Sequence, residues 1–199
     1  MKTILLFLCT LIIPFSKSAA TLLTFDDLSP GSSYAAVPNG YGGLQWLGFG
    51  VLSGTQYPTY PYYTGMVSPT NVAFNWDPYD RRASISNSSP FNLESAYLTS
   101  GIQAPLQIEV QGFVGTNLVF DNTYPIQVNA PTLVNFDYVG VDRVKFLPED
   151  LGTTYVSDAN IFVMDNLSIT IVPEPTVPAL LAAGATLAGF SAVRKKVNS

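Results

Sequence analysis

The sequence predicts an all-β protein: a single antiparallel β-sandwich, jelly-roll-like, with an N-terminal signal helix before it and a C-terminal transmembrane helix after it. Three features predict this. Short apolar or alternating runs are interrupted by Gly, Pro, Asn, Ser and Asp at roughly ten-residue spacing. The run 106–113 sets Leu, Ile and Val against Gln, Glu and Gln at period two, as a strand with one dry and one wet face requires. No stretch before residue 176 carries a helical period.

The expected strands follow in order. Residues 22–25 form the first, ended by Asp26-Asp27, and 44–49 follow the glycine-rich turn 39–43, with Trp46 inside an apolar run and therefore in the core. Residues 71–75 and 83–86 make the next pair, and 91–98 alternate until Ala96 and Tyr97 fall side by side. Then come 106–113, 117–120, 124–128, 132–136, 141–146 and 161–171.

The two ends differ in kind from this domain. Met1-Lys2-Thr3 opens positive, residues 4–15 are almost wholly apolar, and Ser18 and Ala20 suit positions −3 and −1 of a cleavage site. An apolar core of about a dozen residues is too short to span a bilayer, so residues 1–20 read as a signal peptide cut after Ala20, with Ser18 the alternative. The single cysteine, Cys9, lies inside it. The mature chain thus carries no disulfide, and stability must come from the packed core of residues 21–172.

Charge and composition exclude several functions. Of the acidic residues only Glu174 lies outside the domain, whereas of the basic residues only Arg81, Arg82, Arg143 and Lys145 lie inside it. So acidic a surface repels phosphate backbones, and no nucleic-acid partner is expected. The chain has no histidine, which rules out Ser-His-Asp and Cys-His catalysis and removes the commonest transition-metal ligand.

Residues 176–193 hold no charge and precede Arg194-Lys195-Lys196. As a helix this stretch is about 27 Å long, enough for a hydrocarbon core, and the basic cluster fits a cytoplasmic end. From the residues alone, the tail is a single membrane span with a short inner stub. Pro173-Glu174-Pro175, the apolar span and the terminal basic cluster together resemble the tripartite PEP-CTERM sorting signal of bacterial exported proteins. That resemblance implies recognition of Pro173, Glu174 and Pro175 by an exosortase-type processing enzyme in the inner membrane, then release to the cell surface or extracellular matrix. A basic end with one arginine, and Pro178 early in the span, depart from the pattern. Less specifically, residues 24–28, 40–46, 71–75 and 162–167 resemble a group of secreted β-sandwich proteins that often carry such tails, which implies the fold and no activity.

Candidate sites are few. Asp26, Asp27 and Asp165 are the candidate metal ligands: by analogy with sandwich carbohydrate-binding modules, whose first and last strands lie side by side, they are placed to hold a structural calcium, otherwise the cofactor set is empty. The other reading is that they accept backbone amides at strand ends. Tyr57, Tyr60, Tyr62 and Tyr63, with Trp76 and Tyr79 beyond, form an aromatic loop that either stacks on sugar rings or folds back over one end of the sandwich, the second being preferred. Glu94 and Glu109 are the one conceivable carboxylate pair for glycoside hydrolysis, although Glu109 lies on a wet strand face. The sequence therefore predicts an exported, non-enzymatic surface or matrix protein. Its alternatives are a carbohydrate-binding module for extracellular polysaccharide and a stably membrane-anchored ectodomain.

Overall fold

The computed structural model describes residues 18–76, 83–101, 106–148 and 160–173. Residues 1–17 of the expected signal peptide 1–20, Tyr79, Arg81, Arg82, the motif residues Glu174 and Pro175, the apolar span 176–193 and the cluster Arg194, Lys195 and Lys196 lie outside them. Residues Ser18–Val172 form one compact unit. Among the described residues no helix is long and apolar enough to cross a membrane.

The strands are β1 (Thr21–Leu23), β2 (Tyr34–Ala36), β3 (Gln45–Leu47), β4 (Phe49–Ser53), β5 (Asn71–Asn75), β6 (Ala83–Ser100), β7 (Leu106–Val114), β8 (Asn117–Ile126), β9 (Thr132–Pro148) and β10 (Phe162–Ile171). All pairings are antiparallel, and the hydrogen-bonded path runs β2-β4-β5-β10-β6-β9-β7-β8, with β1 on β10 and β3 on β6. The first and last strands are thus neighbours, Thr21 opposite Ile169.

One continuous sheet becomes a two-layered sandwich because β6 and β9 are long and bent. The C-terminal half of β6 pairs with β10 and with the start of β9, whereas its N-terminal half pairs with β3 and the end of β9. The end of β9 in turn pairs with β7. The first layer is therefore β2-β4-β5-β10 with the near halves of β6 and β9, and the second is β3, the far halves, β7 and β8.

The sequence divides each of these long strands in two, and the structure joins them for a physical reason. Asn87-Ser88-Ser89-Pro90 reads as a turn, yet it is a bulge: the register slips between Ser86 and Phe91, where β6 crosses from one layer to the other. Pro90 has no N–H to lose at such an interruption. On β9 the matching bend uses Asp137 and Gly140, both at positive φ, and the freed Gly140 N–H donates to Asn92 Oδ1 at 3.0 Å. Asp121-Asn122 likewise stays within β8, because Asn122 Oδ1 lies 3.0 Å from the Tyr138 hydroxyl.

Aromatic side chains from both layers fill the interior. Phe146 of β9 lies 5.7 Å from Phe49 of β4, edge to face, and 5.9 Å from Phe162 of β10, in contacts that tie layer to layer. Each fully buried side chain of this size contributes about 1.5–3 kcal/mol, so the aromatic core substitutes for the absent disulfides. Trp46 is buried, as expected, and its indole N–H donates to the Tyr41 carbonyl at 2.9 Å. Gly42 in the preceding turn has φ +60°, and a Cβ there would lie 2.5 Å from a Leu23 methyl.

Candidate functional site

The aromatic loop is placed by β4, β5 and β10. On β5 Ala73 faces the core, while Val72 and Phe74 point outward, yet both are buried too. With Leu52, Ile161 and Val163 they form a second apolar cluster on the outer face of the first layer, and Tyr57, Tyr62 and Met66 close over it. The covering segment is a 3-10 turn (Gly54–Gln56) followed by the single helical turn α1 (Pro61–Thr64), neither of which the period-based reading expects. Pro61 opens that turn, where its missing N–H costs nothing.

A buried carboxylate pins the far end of this segment. Asp165 of β10 points outward beneath the loop, is fully buried, and accepts Val67 N–H at 2.6 Å, Ser68 N–H at 2.9 Å, the Ser68 hydroxyl at 3.1 Å and its neighbour Asn166 N–H at 2.7 Å. Burial pushes its carboxyl above the usual range, against the lowering effect of those donors.

The rings thus divide into two sets. Tyr57 and Tyr62 fold back, as the preferred reading held for the whole loop. Tyr60 and Tyr63 do not: they are 54 % and 46 % exposed, and Trp76 is 48 % exposed. The exposed set has a member that sequence reasoning missed. Tyr34 on β2, 51 % exposed, stands edge-to-face with Trp76 at 5.0 Å and with Phe74 at 6.0 Å. From Tyr60 through Tyr57, Tyr62, Phe74 and Tyr34 to Trp76, each ring lies edge-to-face against the next, with centroids 5.0 to 6.3 Å apart. Gly50 makes room in the middle: a Cβ there would stand 2.8 Å from the Phe74 ring. Tyr34 lies in a strand of three residues, too short to show a period.

Of the three aspartates nominated for calcium, Asp26 and Asp165 accept backbone amides and Asp27 accepts a side-chain hydroxyl. Asp26 Oδ1 accepts Asn71 N–H at 2.9 Å, and Asn71 Nδ2 reaches back to the carbonyls of Phe25 at 3.0 Å and Leu28 at 2.8 Å. Asp27 Oδ1 accepts the Tyr41 hydroxyl at 2.8 Å, and burial together with that bond pushes the Tyr41 pKa well above its ordinary value. Asp165 holds the loop. Among the described residues no three Asp, Glu, His or Cys side chains gather as a metal group.

Glu94 and Glu109 are not a pair. Glu94 lies on the outer face of the first layer, where the hydroxyls of Ser168 (2.6 Å) and Thr170 (2.5 Å) hold its pKa below the usual carboxylate value. Glu109 lies on the outer face of the second layer and accepts Gln111 Nε2. Two carboxylates on opposite outer faces cannot flank one glycosidic bond, and a carboxylate held ionised by two hydroxyls is a poor general acid.

The site so defined is a ledge of exposed rings backed by buried ones. No protein-family model matches the chain, and no curated protein matches it. Solved structures do. A DUF4465 family protein from Bacteroides caccae superposes with a TM-score of 0.56 at 12% identity, over 77% of this chain and 100% of that one. A DUF4465 family protein from Bacteroides ovatus gives 0.47 at 12% identity, over 79% of this chain and 95% of that one. The N-terminal CBM22-1-CBM22-2 tandem domain of Paenibacillus barcinonensis Xyn10C gives 0.44 at 11% identity, over 83% of this chain and 50% of that one. The likeness to the first of these is one of fold.

Proposed function

We propose that this protein is an exported, non-catalytic β-sandwich that holds neutral saccharide chains on its aromatic ledge. The observation that carries the proposal is the exposure of Tyr34, Tyr60, Tyr63 and Trp76 around rings that are themselves packed on the sheet. Sugar rings present flat C–H faces, which stack on aromatic faces, and tyrosine hydroxyls and the indole N–H supply polar edges for the hydroxyl groups. Edge-to-face contacts already fix Tyr60, Tyr34 and Trp76, so little side-chain freedom is lost when a ligand binds. Affinity electrophoresis through gels containing neutral polysaccharides tests this. The wild-type chain is retarded, and a Tyr60→Ala/Trp76→Ala variant runs as in a plain gel; equal mobility of the two in every polysaccharide overturns the reading.

Delivery is the second part of the proposal. The signal peptide 1–20 and the resemblance of the tail to a PEP-CTERM signal support export, insertion in the inner membrane and processing by an exosortase-type enzyme near Pro173-Glu174-Pro175. The uncharged stretch 176–193 before Arg194-Lys195-Lys196 equally suits a permanent anchor. Mass spectrometry of the mature C-terminus separates the two. A terminus near Pro175 supports processing, and an intact Ser199 in membrane fractions supports the anchor.

A further inference from the structure

We propose that the outer face of the second layer is a separate binding site for the carboxylate of a uronate-containing saccharide, held by Arg143 and Lys145 where they converge on Phe113.

Phe113 is the first sign. It is only 9 % exposed, yet it takes no part in either apolar cluster. On β7 Leu106, Ile108 and Val110 face the core, and a Cβ on Gly112 would meet Tyr138, Phe120 and Val141, so Phe113 points the other way. Its cover consists of cations. The Arg143 guanidinium carbon lies 4.7 Å from the ring centroid and Lys145 Nζ lies 5.1 Å from it.

Charge distribution is the second sign. Arg143 and Lys145 are the only Arg or Lys among the described residues, which include eight Asp and Glu side chains. In so acidic a domain nearby carboxylates are easily found, yet both cations are spent on one ring, and no described carboxylate pairs with either. Arg143 donates through Nη2 to the Gly115 carbonyl at 3.3 Å, and its buried Nε has no acceptor. Asp142 accepts the Gly115 N–H instead, so the hairpin tip is held between the two residues and the guanidinium is fixed in place. A fixed guanidinium with donors to spare is suited to a carboxylate.

The surroundings choose the kind of anion. Strand registers place Leu47, Ser84, Lys145, Gln111 and Asp121 in one row across the face, and Gln45, Ser86, Arg143, Phe113 and Leu118 in the next. Ser84, Ser86 and Gln111 are neutral hydrogen-bonding groups beside the cations, and they match sugar hydroxyls. Asp121, at the end of one row, and Glu109, at the next outward position of β7, confine the positive field to the Arg143–Lys145 pair, which suits one carboxylate at a time. A saccharide with one carboxylate per ring and neutral hydroxyls between them fits both halves of this pattern.

Calorimetry of the full chain with a galacturonate hexasaccharide and with its methyl ester tests the site. The acid is expected to bind and the ester, in which each carboxylate is capped and uncharged, to give no heat. An Arg143→Gln/Lys145→Gln variant loses about tenfold or more in affinity for the acid, as does the wild type between about 0.05 and 0.5 M salt. Trp76→Ala leaves this binding unchanged, which separates the site from the aromatic ledge, whichever way that ledge behaves. Should the double variant not fold, acid-dependent shifts of the Arg143 Nε and Phe113 ring NMR signals in the wild type replace it. No heat with the acid, equal binding of acid and ester, undiminished binding by the double variant, loss of acid binding in Trp76→Ala, or equal affinity for a single-stranded oligonucleotide each overturns the proposal.

Discussion

The outer faces of the two layers are built from the same kind of strand and end in opposite states. On the second layer, alternation does what a half-wet strand predicts: Gln107, Glu109 and Gln111 of β7 face solvent beside Lys145. On the first layer the same positions of β5 and β10 carry Val72, Phe74 and Val163, and a loop folds down to bury them. A strand buried on both sides loses its period, which is why 72–74 and 161–164 are continuous apolar residues while 106–113 is a clean alternation. The loop is therefore a structural lid on a hydrophobic face first, and a display platform second. The rings that seal the face, Tyr57 and Tyr62, and the rings it presents, Tyr60 and Tyr63, alternate within a few residues.

That division can be tested by substitution. Phe74→Ala removes the ring on which Tyr62 and Tyr34 both rest, and is expected to cost about 3–5 kcal/mol of stability in urea unfolding, leaving the second-layer face intact. Asp165→Ala strands the Val67 and Ser68 amides and is expected to cost about 1.5–3 kcal/mol; a loss under about 0.5 kcal/mol would mean that the loop stays down without its buried acceptor. Tyr60→Ala and Tyr63→Ala, by contrast, are expected to change stability by no more than about 0.5 kcal/mol, because their rings are half in solvent already.

Smaller effects concern the carboxylates. Since Ser168 and Thr170 lower the Glu94 pKa, its stabilising contribution is present above the unfolded-state value of 4.5 and is lost as the pH falls through the folded value. Unfolding midpoints of the wild type are therefore expected to drop below pH 4.5 more steeply than those of Glu94→Gln, and parallel profiles would remove this contribution. Added calcium is expected to shift the thermal midpoint by less than about 1 °C, because Asp26, Asp27 and Asp165 already accept hydrogen bonds from the protein. A larger rise, reversed by EGTA, would support the predicted ion site.

Much of the fold was legible from period and turn chemistry, and the misreadings share a cause. Asn87–Pro90 and Asp137–Gly140 look like turns in sequence because bulges and turns use the same residues; only the partner strand decides between them. Tyr57, Tyr60, Tyr62 and Tyr63 were legible as an aromatic loop, since proline excludes a central strand. Which of them would be exposed was not legible, because it depends on an outer face made of three strands distant in sequence. Tyr34 and the Phe113 cluster gave no local signal: the first sits in a three-residue strand, and the second is assembled across β7 and β9 by register alone.

Saturation-transfer NMR of the full chain with neutral hexasaccharides of glucose, xylose and galactose tests the ledge most directly. Sugar C–H signals are expected to saturate in the presence of the wild-type chain, through ring protons of Tyr34, Tyr60, Tyr63 and Trp76, and to vanish with Tyr60→Ala/Trp76→Ala while the thermal midpoint stays within a few degrees. No transfer to any of the three sugars, or transfer that survives in the double variant, would contradict the ledge as a saccharide site.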